Sequence, residues 1–185
     1  MIAVLISIRP EWCEKIINGK KTIEVRKTRP KMNPPFKCYI YCTKGQERLV
    51  AILKDGDENY GEIYHGKPVF IKTSVSSVCD MYGKRKMVIG EFICDRIDEI
   101  VPATEPYGIY DIDDDYVFQT FLENGALWDY GRGERLYGWH IYNLKIYDTP
   151  RDLWEFTGLR ETKFGAEPVP ITRPPQSWRY VEEFQ

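Results

Sequence analysis

The segment Gly19-Lys20-Lys21-Thr22-Ile23-Glu24-Val25-Arg26 gathers the residues best suited to chemistry. Asn18-Gly19 reads as a helix end, because glycine is favoured just past a helix C-terminus. The alternation that follows puts Ile23 and Val25 on one face of a strand, and Thr22, Glu24 and Arg26 on the other. Lys21 stands at the turn beside that row. Two cations and one carboxylate at this spacing can lie within hydrogen-bond reach of one another. Glu24 can pair with Lys21 or Arg26 and fix its position, leaving one cation for an anionic or carbonyl-bearing ligand. The same pattern also suits an edge strand with its charges in solvent, and spacing alone does not separate the two.

The elements that must position these residues are legible on both sides. Ala3 to Ile8 is a short apolar run that predicts a buried strand. Arg9-Pro10-Glu11 opens a helix, with proline suited to the first turn and Glu11 to its dipole. Trp12 and Ile16, with Cys13 and Ile17, form its apolar face. Pro30 to Pro35 is a loop with three prolines, and Cys38 to Cys42 the next strand. Residues 45–86 read as an insertion carrying its own hairpin, with a strand at Val69 to Thr73. Met87 to Cys94 is a strand, ended or bent at Asp98 to Val101. Asp113 is a good N-cap for a helix through Phe118, Phe121 and Leu122 that stops at Asn124-Gly125. Leu136 to Tyr147 predicts one long aromatic strand. Thr149-Pro150 predicts a short helix to Phe156. The proline-rich tail from Gly158 is expected to be extended, with Trp178, Tyr180 and Phe184 pinning it to the body. Several short strands, one helix after the first and another before the last, point to a small mixed α+β barrel with flanking helices rather than an alternating βαβ sheet.

Composition narrows the function classes. A length of 185 residues suits one domain with a short appendage, here 1–150 followed by a 151–185 extension. No apolar run reaches membrane-spanning length, and the N-terminal run has strand length and no basic residue before Arg9, so it reads as a strand and not a signal peptide. A cytoplasmic protein is expected. Five widely spaced cysteines, with no Cys-x-x-Cys, argue against a disulfide framework. His65 and His140 have no ligand-spaced companions, so neither metal nor cofactor is expected. The net charge is −2, but residues 1–44 carry ten Lys or Arg against three Glu, whereas residues 95–129 carry ten Asp or Glu against one Arg. A basic first quarter suggests a face for an anionic ligand. Pairing of the two segments in space is the competing explanation.

The pattern Gly19-x-Lys21-x-x-Glu24-x-Arg26 resembles the signature of the ASCH domain, a branch of the PUA-like superfamily. Its context is similar too. Ser7 to Ile17 resembles the family's opening strand and helix, Tyr39 to Lys44 its next strand and loop, Val88 to Phe92 its central strand, and Tyr137 to Ile141 its closing one. The tail Thr172-Arg173-Pro174-Pro175-Gln176-Ser177-Trp178 is similar to that of bacterial and phage ASCH proteins. The resemblance implies a PUA-like barrel with a cleft between first helix and barrel, taking RNA or a nucleotide-like small molecule. Carried over, it places Gly19, Lys21, Glu24 and Arg26 in the cleft, with Arg9, Thr43 and Lys44 at its border. Trp139 becomes a candidate stacking platform, with a core role as the alternative.

A hydrolytic branch of the family cleaves the amide of N4-acetylcytidine with a lysine, a threonine nucleophile and a distant glutamate. Lys21 matches that lysine, but Glu24 occupies the threonine position. If the chain is an enzyme, Lys21 and Glu24 are its candidate catalytic pair, Glu24 acting as a base toward water. Three classes therefore stand: an RNA or nucleotide-binding module, a hydrolase of a modified nucleoside or RNA, and a regulatory protein–protein adaptor. The basic first quarter favours the first two, and Glu24 in place of a hydroxyl favours the first. The acidic total favours a short single strand or a nucleotide over long duplexes.

Overall fold

Ile2–Ile8 forms strand β1, buried on both faces from Ala3 onward, as its unbroken apolar run requires. Helix α1 (Pro10–Ile17), strand β2 (Ile23–Arg26) and strand β3 (Phe36–Cys42) follow in the expected places. The computed structural model describes residues 1–44, 47–53, 69–74, 86–105 and 108–184, with 47–53 and 69–74 described by backbone alone. His65, Cys79 and most of the expected 45–86 insertion lie outside the described residues. Its two described pieces, β4 (Glu47–Leu53) and β5 (Val69–Ser74), pair antiparallel as a separate two-stranded sheet.

The later elements are β6 (Met87–Cys94), β7 (Ile97–Ile100), α2 (Asp114–Thr120), α3 (Asn124–Gly131), β8 (Leu136–His140), β9 (Tyr142–Arg151), β10 (Thr157–Thr162), β11 (Gly165–Pro170) and β12 (Trp178–Glu182). A seven-stranded sheet runs β11-β10-β12-β1-β3-β6-β9, and a three-stranded sheet runs β2-β8-β7. Within the large sheet only β1 and β3 pair in parallel. The result is a mixed α+β fold. The ladders leave both sheets with open edges, so strand pairing among the described residues draws no closed barrel of the kind expected.

Three apolar clusters bind these layers together. Val4, Ile6, Ile8, Cys38, Ile40 and Phe92 meet Cys13 and Ile16 of α1 and Trp139 of β8, filling the space between the large sheet and the small one. Ala3, Leu5, Tyr39, Tyr41 and Val181 cover the opposite face with Phe156 and Ile171. Val25, Ile100 and Leu136 pack against Tyr110 and Leu127 beyond the small sheet. β2 is therefore enclosed on both faces.

Four expectations change. Asp113 does cap α2, accepting from the Tyr116 amide at 2.7 Å, but the helix stops at Phe121 in a left-handed conformation. Asn124-Gly125 opens α3 instead of ending α2, because the Asn124 carboxamide oxygen is held by the Tyr110 amide at 2.7 Å. The Leu136–Tyr147 run divides at Ile141, whose amide bonds Thr22, and its halves join different sheets. Thr149 and Pro150 extend β9, an edge strand where proline's missing N–H costs no ladder bond. Asp152 caps only a single 3-10 turn, Leu153–Glu155. The tail is more ordered than expected: β10 and β11 form a hairpin, and β12 lies antiparallel to β1.

Gly90 is the strand glycine most closely approached by backbone among the described residues. A methyl group there would run into the Lys145 carbonyl, which is backbone and cannot swing aside. Gly90→Ala should lower unfolding stability by about 1–3 kcal/mol. Gly125→Ala meets open space in α3 and should raise stability by about 0.4–1 kcal/mol. Urea unfolding of both variants checks the pair.

Candidate functional site

The last turn of α1 determines where Lys21 begins. The Gly19 amide bonds the Ile16 carbonyl at 2.9 Å and the Lys20 amide bonds the Lys15 carbonyl at 2.9 Å. This crossed pair is a Schellman closure, and it requires the left-handed φ of +67° that Gly19 adopts. Gly19 thus serves the site through its backbone. The Lys21 amide also reaches the Lys15 carbonyl, so the chain turns sharply and sends the Lys21 side chain inward.

Lys21, Glu24 and Arg26 converge as their spacing suggested. Glu24 Oε2 lies 3.4 Å from Lys21 Nζ, and Glu24 Oε1 lies 3.1 Å from Arg26 Nη2. The cluster is far more buried than an edge-strand reading allows, with exposures of 2%, 6% and 9% for Lys21, Glu24 and Arg26. Each cation has a second anchor. Lys21 Nζ donates to the Thr120 carbonyl at the end of α2 at 2.6 Å, where the helix dipole is negative. Arg26 Nη2 donates to the Ser7 carbonyl of β1 at 2.6 Å. Lys21 Nζ also lies 5.3 Å from the Trp12 ring centre.

Satisfaction is incomplete. Glu24 Oε2, Arg26 Nε and Trp139 Nε1 are buried without a hydrogen-bond partner. Glu24 Oε2 is nonetheless ion-paired with Lys21 Nζ. Glu24 and Trp139 are cross-strand partners, so these side chains share one face of the β2–β8 ladder. Burial is the largest influence on Lys21 and lowers its pKa; Glu24 opposes that shift and Arg26 adds to it. Burial also raises the Cys13 thiol, followed by Cys42 and then by the Glu24 charge.

The other expected residues are placed differently. Trp139 is fully buried, with Phe36 and Trp178 rings at 5.9 Å each. No face of the indole is open to a base, so its expected role as a stacking platform is corrected to a core role. Arg9 is exposed and pairs with Glu11 at 4.0 Å. Thr43 is half-buried and its amide bonds the Ile8 carbonyl, while Lys44 is exposed. These three sit at strand ends, and among the described residues none of them makes a hydrogen bond or ion pair with Lys21, Glu24 or Arg26. Ser7 and Tyr130 belong to the surroundings but escaped the sequence. Ser7 is buried, and its hydroxyl donates to Pro175 O at 2.6 Å. Burial raises the Tyr130 phenol; the Arg26 charge and a side-chain hydrogen bond with Arg26 lower it, and the Glu24 charge raises it. Neither carries a spacing signal, since both reach the site through tertiary contacts. Among the described residues no ion pair joins the basic 1–44 segment to the acidic 95–129 segment. Neither is there a cluster of three or more His, Cys, Asp or Glu able to hold a metal. No described helix is long and apolar enough to cross a membrane.

Residues 6–94, a little under half of the chain, match the model of the ASCH domain. Domains of this family are generally thought to bind RNA. Similar solved structures include ASCH from Zymomonas mobilis, at 19% identity and a TM-score of 0.49, covering 98% of this chain and 88% of that one. A tyrosine-to-phenylalanine mutant of that protein gives 17% identity, a TM-score of 0.47 and coverages of 98% and 91%. A serine-to-alanine mutant gives 17%, 0.46, and 98% and 89%. No curated protein gives a significant match.

Removing one member of a buried ion cluster leaves its partner uncompensated. Lys21→Met should therefore cost roughly 3–5 kcal/mol. Lys37→Met, which breaks a pair with Glu183 at a partly exposed position, should cost no more than about 1 kcal/mol. Chemical denaturation compares them. The Lys21 side chain should also titrate below 10.5 when followed by NMR at its ε-carbon. Between that lowered value and 10.5 the unfolded chain holds the extra proton, so this group makes the fold more stable as pH rises. A midpoint at or above 10.5 would show that Glu24, not burial, governs the lysine.

Proposed function

We propose that the chain binds single-stranded RNA or a nucleotide-like ligand at the Lys21–Glu24–Arg26 cluster. The observation that carries this reading is the set of buried polar atoms without partners, Arg26 Nε and Trp139 Nε1 above all. A purely structural ion cluster gains nothing from desolvating two donors and leaving them unbonded. A phosphate or base carbonyl would accept from them once the side chains that cover both donors move aside. The cluster bears two positive charges and one negative, so it favours an anion. The match of residues 6–94 to the ASCH domain adds general support for RNA. In this reading residues 1–150 form the PUA-like binding unit of a cytoplasmic protein, residues 45–86 are an insertion in it, and 151–185 complete its sheet.

A hydrolase acting on a modified nucleoside or RNA is the second reading, favoured by the lowered pKa of Lys21 beside the Glu24 carboxylate. Glu24 would act on water and Lys21 would hold the developing negative charge. Thr22 does not suit the nucleophile's role: it is exposed, with its hydroxyl toward Gln119.

Titration with a short single-stranded RNA at several salt concentrations tests both readings. Affinity should fall as salt rises. Arg26→Lys keeps the charge but removes the Nε donor and the planar fork, and should weaken binding by about 1–3 kcal/mol with the melting curve as a folding control. Glu24→Gln distinguishes the readings, since a hydrolase would lose turnover of N4-acetylcytidine or RNA while still binding. Binding that ignores Arg26→Lys in a folded protein would move the reading to a protein–protein adaptor.

A further inference from the structure

The loop that leaves β2 after Arg26 is fastened to the C-terminal strand by its even face and by its backbone. Thr28 Oγ1 accepts from Trp178 Nε1 at 3.0 Å, and the Lys31 amide donates to the Tyr180 hydroxyl at 2.8 Å. Lys27, Arg29 and Lys31 remain exposed, with no acidic residue between them in the sequence; Lys31 Nζ pairs with Glu161 at 3.4 Å across an exposed surface, a contact a phosphate can displace. Beneath them runs a band of partly exposed rings. Trp178 meets Tyr180 edge-on at 5.4 Å, Lys27 lies 5.0 Å from the Tyr130 ring, and Arg29 lies 6.0 Å from the Tyr137 ring. The band begins at the cluster itself, because Trp178 contacts Trp139, the cross-strand partner of Glu24. It ends beside a concavity of about 180 Å³ lined by Met32, Leu159, Glu161, Ala166, Tyr180 and Ile2.

Cations at alternate positions above a row of partly exposed aromatic rings suit a single polynucleotide strand. The cations meet successive phosphates, and rings take bases without regard to sequence. A duplex would hide its base faces from the rings. A free mononucleotide would use one cation of the three.

We propose that the Lys27–Lys31 loop and the Trp178–Tyr180 strand together form a strand-tracking surface for the nucleotides flanking the one held at the cluster, so that the ligand is a single-stranded oligonucleotide. This rests on the reading of the cluster as a ligand site. The surface draws on β12, which lies outside the segment matched to the ASCH domain.

The test compares uridine 5′-monophosphate with an eight-residue oligouridylate on the full chain. Wild type should bind the oligomer at least tenfold more tightly than the mononucleotide. Lys27→Ala/Arg29→Ala/Lys31→Ala should remove most of that advantage and leave mononucleotide binding unchanged. Its salt slope with the oligomer should fall by about 2, as three contacts on a single strand imply. These side chains are exposed, so the triple variant should melt like wild type. Trp178→Leu should weaken the oligomer by about tenfold without altering the slope, and the triple variant decides the matter should Trp178→Leu not fold. Unchanged oligomer affinity in the triple variant would overturn the surface while leaving the cluster as the site. Equal losses for both ligands would also overturn it, since the surface would then not be separate from the cluster. Failure of wild type to bind either ligand would overturn both proposals.

Discussion

A carboxylate held between two cations in a nearly water-free position is the constraint around which the rest of the chain is arranged. Glu24 sits 3.4 Å from Lys21 and 3.1 Å from Arg26, and all three are buried. Desolvating three charges is costly unless partners replace water. The chain supplies them from distant elements: the Thr120 carbonyl ends α2, and the Ser7 carbonyl lies near the end of β1. The cluster therefore ties together the first strand, the small sheet and the acidic-segment helix, three elements that share no continuous ladder.

Position within the cluster depends on backbone geometry more than on the charges. The Schellman closure at Gly19 aims Lys21 inward, and the β2–β8 ladder sets Glu24 opposite Trp139. Trp139 then fills the space between the sheets, meeting Phe36 and Trp178. The C-terminal strand is drawn in by the same contact, with Ser7 bonded to Pro175 and Ser177 at the edge of β1. The tail is part of the wall near the site, and its hydrogen bonds to the Lys27–Lys31 loop fix that loop's exposed charges.

The early chain was readable because its signals are local. An apolar run, a proline at a first helical turn, a glycine stop and an alternating strand each depend on nearest neighbours, and they located β1, α1, β2 and β3. The meeting of Lys21, Glu24 and Arg26 was readable for the same reason. Their depth was not, because burial comes from helices about a hundred residues later in the chain. Trp139 looks the same in sequence whether it lines a cleft or a core, and only its neighbours decide. The division at Ile141 carries no glycine or proline, so the aromatic run reads as one strand. Asn124-Gly125 is ambiguous by nature, since asparagine and glycine suit both the start and the end of a helix.

The most direct measurement is an NMR titration that follows the Arg26 Nε and Trp139 Nε1 protons as single-stranded RNA is added. Both donors are buried and unbonded in the protein alone. If the cluster is the ligand site, these two signals should move with the same saturation curve as the rest of the binding response, and in the direction of stronger hydrogen bonding. If binding saturates while both signals stay in place, the ligand lies elsewhere and the cluster only holds the fold together.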